Sequence, residues 1–240
     1  MTHVFVASNK MARFLTIVAW AILSQSPNVA WAEWYADLYG GGAITMRHNV
    51  GNALPGFSAT AHDVKFDTSA TVGGRTGVWF DRLPWLGVGI DVFHFQPTVG
   101  GGQTVEVTGQ GLNTLATLQT INFSVIGVGL DVVRLRLPLF QSENFPHGRL
   151  QPYVTGGPAF FRTRLKDTTN LGPPANQSTT DTSLGLKVGA GVSYQFTELI
   201  GLFGEYRFTH FQAQHALEGP VVLTETFNTH HMIGGLSFRF

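Results

Sequence analysis

Apolar and polar residues alternate with a period of two along most of the chain after about residue 33. Such alternation is typical of β-strands that show one face to an apolar environment and the other to a polar one. In the clearest segment, 182–196, Leu184 and Leu186 share one face while Lys187 and Gly189 share the other. Eight segments are predicted as strands in this way: 34–46, 67–81, 86–96, 119–135, 151–164, 182–196, 199–211 and 224–240. Each is close to, or longer than, the ~9–11 residues that a tilted strand needs to cross a membrane.

The connections between these segments alternate in length. Residues 82–85 and 197–198 are predicted as tight turns, and 136–150 as a longer surface excursion through Pro138 and Pro146. Polar stretches at 47–66, 97–118, 166–181 and 212–223 are predicted as long loops, with 171–178 flexible and exposed. Short turns on one side and long loops on the other predict an all-β fold, an eight-stranded antiparallel up-and-down transmembrane β-barrel with its loops outside the cell.

The N-terminal residues have the pattern of a secretory signal peptide. Lys10 and Arg13 precede an apolar run at 14–23, which is too short for a helix that must span a bilayer with roughly 20 residues. Ala30 and Ala32 supply the small side chains of a cleavage site, so we predict cleavage after Ala32. The chain therefore divides into a signal peptide, residues 1–32, and one barrel domain, residues 33–240; whether translation starts at the first or the second methionine stays open.

The last residues form an alternating strand that ends on an aromatic side chain. Leu236, Phe238 and Phe240 lie on one face, and this arrangement resembles the C-terminal signal that the barrel-assembly machinery recognises on its substrates. The alternative is a sheet edge of a soluble sandwich. Together with the signal peptide, the pattern predicts export to the outer membrane of a Gram-negative bacterium.

Composition narrows the classes of function. The chain has no cysteine, although the predicted compartment permits disulfides, and this argues against a small disulfide-stapled domain. Charged residues make up 12% of the chain and balance to zero, which gives no electrostatic basis for a nucleic-acid partner. The nine histidines show no tight ligand spacing with a carboxylate, so we predict neither a metal site nor a cofactor.

The face opposite the apolar one carries charged residues flanked by glycine or serine. Because buried charges must be paired, they predict an ion-pair network across a lumen that side chains fill. Its predicted members are Asp37, Arg75, Asp91, Asp131, Lys187, Glu205, Arg207 and Arg239. The same alternation puts Val133 on this inward face. The repeated hexapeptides GVGIDV at 87–92 and GVGLDV at 127–132 place Asp91 and Asp131 on adjacent strands, where a structural role is favoured over a catalytic carboxylate pair.

Three segments resemble a known family of membrane proteins. Residues 34–42 (WYADLYGGG), 201–210 (GLFGEYRFTH) and 230–240 (HHMIGGLSFRF) look like the eight-stranded porin-like family of proteobacterial outer-membrane proteins, which is similar to the OmpA membrane domain and the opacity proteins. The resemblance implies a monomeric barrel with a closed lumen, serving envelope structure or surface contact. It also implies outer-membrane lipids and lipopolysaccharide around the barrel, and the barrel-assembly machinery as a partner during insertion. A narrow channel for small or hydrophobic solutes, resembling the OmpW type, is the alternative.

The strongest enzyme candidate is a lipid A 3-O-deacylase. Those enzymes are also eight-stranded barrels, with a His-x-Ser pair and a downstream glutamate. His210 matches the histidine and is followed by His215 and Glu218, but Gln212 stands where the serine should be. A carboxamide cannot act as the nucleophile, and Thr209 lies on the opposite face of the strand. We therefore predict no enzymatic activity.

Overall fold

The computed structural model describes residues 32–54, 57–166, 178–216 and 222–240. These residues form β-structure and connections, and none of them belongs to a helix long and apolar enough to cross a membrane. The predicted signal peptide, apart from Ala32, lies outside the described residues. The strands are β1 (Ala32–Thr45), β2 (His48–Leu54), β3 (Phe57–Val64), β4 (Phe66–Asp67), β5 (Ser69–Phe80), β6 (Leu83–Phe95), β7 (Thr98–Val99), β8 (Thr104–Gly109), β9 (Leu112–Thr117), β10 (Ile121–Arg136), β11 (Leu150–Lys166), β12 (Ser178–Gln195), β13 (Ile200–Ala216) and β14 (Val222–Arg239).

Eight long strands form a closed barrel. β1, β5, β6, β10, β11, β12, β13 and β14 pair antiparallel in this order, and β14 pairs back with β1. The closing register runs from Tyr35 opposite Arg239 to Thr45 opposite Thr229. The fold class predicted from the alternation is confirmed. The observed bounds differ from the predicted ones by a few residues, most at β13, which continues to Ala216 because the alternation persists there in polar residues.

Two ends of the barrel differ in their connections. The turn end carries the connections 81–82, 137–149 and 196–199, and the loop end carries the connections between β1 and β5, β6 and β10, β11 and β12, and β13 and β14. The connection 137–149 is folded back on the barrel, because Leu139 and Leu150 exchange backbone hydrogen bonds of 2.9 and 3.2 Å. Gly148 permits this with φ +84°, since a Cβ there would lie 2.7 Å from the backbone of Leu139.

The stretches 47–66 and 97–118, predicted as loops, contain strands instead. β2, β3, β8 and β9 pair in that order and join β14 through Val222 opposite Ala53; we call them the loop-end sheet. Short alternating runs such as Thr104–Gly109 are compatible with strands, and Gly111 at φ +85° completes the tight turn into β9. In the described residues, the loop end therefore consists partly of paired strands, which extend the barrel wall.

Outward-facing side chains of the barrel strands form an apolar band. Val72, Ile90, Val128 and Leu186 are typical of this band, with 38–56% of their surface exposed. At the turn end the exposed side chains are largely aromatic: Trp34, Phe80, Trp85, Phe140, Tyr194, Phe196 and Phe240. An apolar band with aromatic residues at its border is the outer surface expected of a barrel in lipid.

Candidate functional site

The inward-facing residues of the barrel are charged in the half nearer the turn end. All eight residues predicted for the lumen are there, and each is at most 6% exposed: Asp37, Arg75, Asp91, Asp131, Lys187, Glu205, Arg207 and Arg239. The alternation of each strand positions them, because every second side chain must enter a lumen that eight strands leave just wide enough to fill. We call this set, together with the partners named below, the charged layer.

Lys187 is the common partner of the two hexapeptide acids. Its Nζ lies 2.7 Å from Asp91 Oδ2 and 2.6 Å from Asp131 Oδ1, with all three side chains fully buried. Arg207 Nη2 is 2.8 Å from the same Asp91 oxygen and 2.9 Å from Glu205 Oε1. Each of these carboxylates thus contacts at least one cation, an arrangement that neutralises the buried negative charge.

Arg75 continues these ion pairs toward the turn end. Its Nη2 lies 2.8 Å from Asp37 Oδ2, and its Nη1 lies 2.6 Å from Glu205 Oε2. The Tyr153 hydroxyl donates to the same Glu205 oxygen at 2.8 Å, and the Ser237 hydroxyl donates to Asp37 Oδ1 at 2.7 Å. Charge-assisted hydrogen bonds of this kind satisfy several lone pairs of each carboxylate at once. The contacts link residues from five strands across the lumen.

The assignment of Val133 to the inward face was wrong. β10 contains a bulge: Asp131 pairs with Gly89 and Arg134 with Gly87, so one strand advances three residues while its neighbour advances two. Val132 and Val133 consequently both face outward, at 53% and 46% exposure. A bulge shifts every following side chain to the other face, and a strict period of two cannot detect it.

The bulge brings into the lumen two arginines that the sequence analysis missed. Arg134 lies 3.6 Å from both Asp37 and Asp131, with its guanidinium 4.6 Å from the centre of the Tyr35 ring. Arg136 donates from Nη1 to Glu33 at 3.1 Å. Arg239, the predicted member nearest the turn end, lies 3.7 Å from this Glu33, and this contact connects it to the rest of the charged layer.

The half of the lumen nearer the loop end is aromatic, which the sequence analysis also missed. Phe161 and Phe211 stack with ring centres 4.0 Å apart, and Phe211 stacks on Phe227 at 4.9 Å. These rings and others packed with them form what we call the aromatic plug: Phe66, Phe93, Phe95, Phe123, Phe161, Phe211 and Phe227. The alternation predicts the inward position of Phe93, but the convergence of the rings depends on the register between strands.

The described residues of the deacylase hypothesis lie on both faces of β13. His210 faces outward, with Nδ1 2.6 Å from Asn228 Oδ1, and Gln212 is likewise outward and exposed. Thr209 and His215 face inward and are fully buried. Glu218 lies outside the described residues.

The predicted terminal elements lie at the turn end of the seam between β1 and β14. Leu236 and Phe240 are outward and exposed, at 44% and 52%, and Phe238 is partly buried on the same face. The backbones of Trp34 and Phe240 exchange hydrogen bonds of 3.0 and 2.9 Å. Ala32, the predicted last residue of the signal peptide, pairs with Phe80 as the first residue of β1, and Ala30 lies outside the described residues.

A closed eight-stranded barrel with an apolar outer band and a filled lumen defines a membrane β-barrel protein. The family model described as the outer membrane protein beta-barrel domain matches residues 15–240, and the chain belongs to this family. The family and the matched structures indicate the outer membrane of a Gram-negative bacterium. Comparison with curated protein sequences gives no match.

Three solved structures illustrate the likeness. The outer membrane protein OprG from Pseudomonas aeruginosa is 15% identical with a TM-score of 0.51, over 87% of this chain and 96% of OprG. Neisserial surface protein A is 16% identical with a TM-score of 0.44, over 86% and 97% of the two chains. The outer membrane protease OmpT from Escherichia coli is 10% identical with a TM-score of 0.41, over 90% and 99%. At such identities the likeness concerns the fold alone, so neither a surface role nor proteolysis follows from it.

Proposed function

We propose that this protein is a structural outer-membrane barrel with a lumen closed to solutes, and that it acts through surface contacts at its loop end. The observation that carries the proposal is the filled lumen. Lys187, Arg207 and Arg75 connect carboxylates on opposing strands, and their side chains are fully buried. The aromatic plug lies above them, so a solute would have to displace two layers of different chemistry.

The loop-end sheet supports the second half of the proposal. Its strands extend the barrel wall beyond the apolar band, and they offer a preorganised polar surface for a partner. Arg47, Asp63, Lys65 and Glu106 line a groove of about 360 Å³ on this sheet, with charges of both signs. The proposed orientation puts this surface outside the cell.

Planar-bilayer conductance of the purified protein tests the closed lumen. We expect no steady open state for the wild type, and brief openings for Lys187→Ala or Glu205→Ala, because either change removes a member of the charged layer. Leu184→Ala, which alters the outward face of the same strand as Lys187, is the control and should behave as the wild type. A large, steady conductance of the wild type would instead favour the narrow channel.

Mass spectrometry of lipid A from cells with and without the protein tests the absence of enzymatic activity. We expect identical acylation in the two samples, because no hydroxyl nucleophile follows His210 at the required spacing. Loss of one acyl chain that disappears again in His210→Ala would overturn this part of the proposal.

Processing by signal peptidase completes the proposal. Cleavage after Ala32 would leave Glu33 at the start of the mature chain and preserve its ion pair with Arg136. We expect the membrane-extracted protein to give Glu33 as its first residue in N-terminal sequencing. Recovery of a chain that still carries residues 1–32 would contradict it.

A further inference from the structure

Two arginines on the barrel strands differ from the other charged residues there, because their side chains do not point into the lumen. Arg162 and Arg164 lie on β11 and are exposed on the outward face, whereas the other charged side chains described on the eight barrel strands face inward. Neither guanidinium forms an ion pair with a described acid; Arg164 Nη2 donates to Ser178 Oγ at 3.2 Å. Two cations that lie side by side on the wall of a membrane protein, with no described acid as a partner, favour the binding of an anionic group.

The two arginines lie at the loop-end border of the apolar band. On the outward face of β11, Phe160 precedes them and is 51% exposed, and its neighbour Leu184 on β12 is 64% exposed. Two residues further along β11 toward the loop end, Arg162 lies between Ile126 on β10 and Thr182 on β12. Arg164 follows two residues later, between Ser124 and Thr180. Each step along a strand face is about 7 Å, so the guanidiniums lie where hydrocarbon ends and lipid headgroups begin.

The two arginines line a groove whose other polar side chains can also bind a phosphate group. The groove measures about 420 Å³ and is lined by Ser124, Ile126, Arg162, Arg164, Ser178 and Thr180. Guanidinium groups bind phosphate oxygens bidentately, and hydroxyl groups donate to the remaining oxygens. Ile126 at its membrane-side wall continues the apolar band, so a headgroup there would have its acyl chains against the barrel.

We propose that this groove binds a phosphate group on the headgroup of lipid A in the outer leaflet. The proposal rests on the proposed function, in which the loop end of the barrel lies outside the cell. It is more specific than the expectation that lipids surround the barrel, because it assigns one headgroup to one groove. The binding test is made in detergent, where orientation plays no part, so its outcome is independent of the conductance result.

Native mass spectrometry of the protein in non-ionic detergent measures the binding, with bisphosphorylated lipid A as the probe. We expect one lipid A to remain bound to the wild type, and binding to weaken about tenfold for each guanidinium removed in Arg162→Gln and Arg164→Gln. Added salt should weaken the complex, because the site is at the surface. Heat-modifiable migration on a gel establishes that each variant is folded.

Matched controls separate this site from unspecific attraction. Arg82→Gln removes the same charge from the exposed turn between β5 and β6, at the opposite end of the barrel, and should leave binding unchanged. Dephosphorylated lipid A should bind at least about tenfold more weakly than the phosphorylated form. Inorganic phosphate should compete only at far higher concentration, because it lacks the acyl chains.

Three outcomes would overturn the proposal. Equal binding by the wild type and by the folded Arg162→Gln/Arg164→Gln double variant would exclude the arginines. Equal binding of dephosphorylated lipid A would exclude the phosphate. Competition by inorganic phosphate at the concentration of lipid A itself would show a site for the free anion instead of the lipid.

Discussion

At the scale of single residues, the position of each charge decides what it can do. Asp91 and Asp131 face Lys187 inside the barrel and are neutralised there, whereas Arg162 and Arg164 face outward without a described counterion. Charged residues on neighbouring strands therefore serve different purposes, according to the face on which they lie. The alternation predicted the first pair correctly as inward, but the ion-pair partners depend on distances across the lumen that no local pattern contains.

His48 in the loop-end sheet provides a test by pH. Its ring stacks on Phe66 with 5.1 Å between ring centres, and burial lowers the pKa of His48 below its ordinary value of 6.5. The folded state therefore binds this proton less readily than the unfolded state, and the sheet loses stability as the pH falls through 6.5 toward the folded pKa. We expect a titration of His48 followed by NMR to report a pKa below 6.5.

Phe66→Ala is the matched variant for this titration. It removes the ring that covers the imidazole, so the pKa of His48 should rise back toward 6.5. A wild-type pKa at or above 6.5 would show that the imidazole is solvated, and would contradict the packing of β2 against β4.

At the scale of elements, the polarity of the outward-facing side chains changes along a strand with their depth in the membrane. On β12, Val188 lies in the apolar band at 40% exposure, and Thr182 lies beyond it, toward the loop end. The alternation along this strand agreed with the structure at every position assigned to a face. β12 pairs with both of its neighbours without a register shift, so its side chains keep one alternation along the whole strand.

Arginine substitutions on β12 test the depth of the apolar band. Val188→Arg should lower the free energy of unfolding by about 2–4 kcal/mol, because the charge enters hydrocarbon near the midplane. Thr182→Arg, on the same face of the same strand but outside the band, should cost at most about 1 kcal/mol. Unfolding in urea in lipid vesicles measures both, and equal costs would contradict the assigned position of the band.

Deletions in β10 test the bulge. Removing Val133 alone leaves Arg134 two residues after Asp131 and therefore still inward, so we expect a folded barrel. Removing Val132 and Val133 together turns Arg134 and Arg136 outward and leaves Asp37 and Glu33 without these partners, so we expect no heat-modifiable species on a gel. Normal folding of the double deletion would show that the barrel does not need Arg134 and Arg136 inside its lumen.

At the scale of the whole molecule, the charged layer connects strands that are distant in sequence. Asp91 on β6, Asp131 on β10 and Lys187 on β12 meet only when the barrel closes, so their ion pairs stabilise closure rather than any single hairpin. The aromatic plug does the same at the other end of the lumen. Both follow from the small radius that eight strands impose.

Removing one member of the charged layer should lower the stability of the folded barrel. Lys187→Met leaves two buried carboxylates with one cation fewer, and we expect the free energy of unfolding to fall by about 3–5 kcal/mol. Lys187→Met combined with Asp131→Asn should recover part of this loss, because the uncompensated charge is then reduced. Urea unfolding in lipid measures both variants, and additive losses would indicate that Lys187 and Asp131 do not interact.

The amino-acid sequence by itself determined the class of fold, the eight barrel strands and the facing of residues on the strands that alternate clearly, such as β12, but it left the facing of β11 open. The reason is that a strand between lipid and a filled lumen obeys a strict period of two, which is a local property. Tertiary structure decided the rest: the bulge that turns Arg134 and Arg136 inward, the loop-end sheet, the aromatic plug and the groove of Arg162 and Arg164. Each depends on the register between strands and on side chains that meet across the barrel, and these are set by packing of the whole molecule rather than by any one segment.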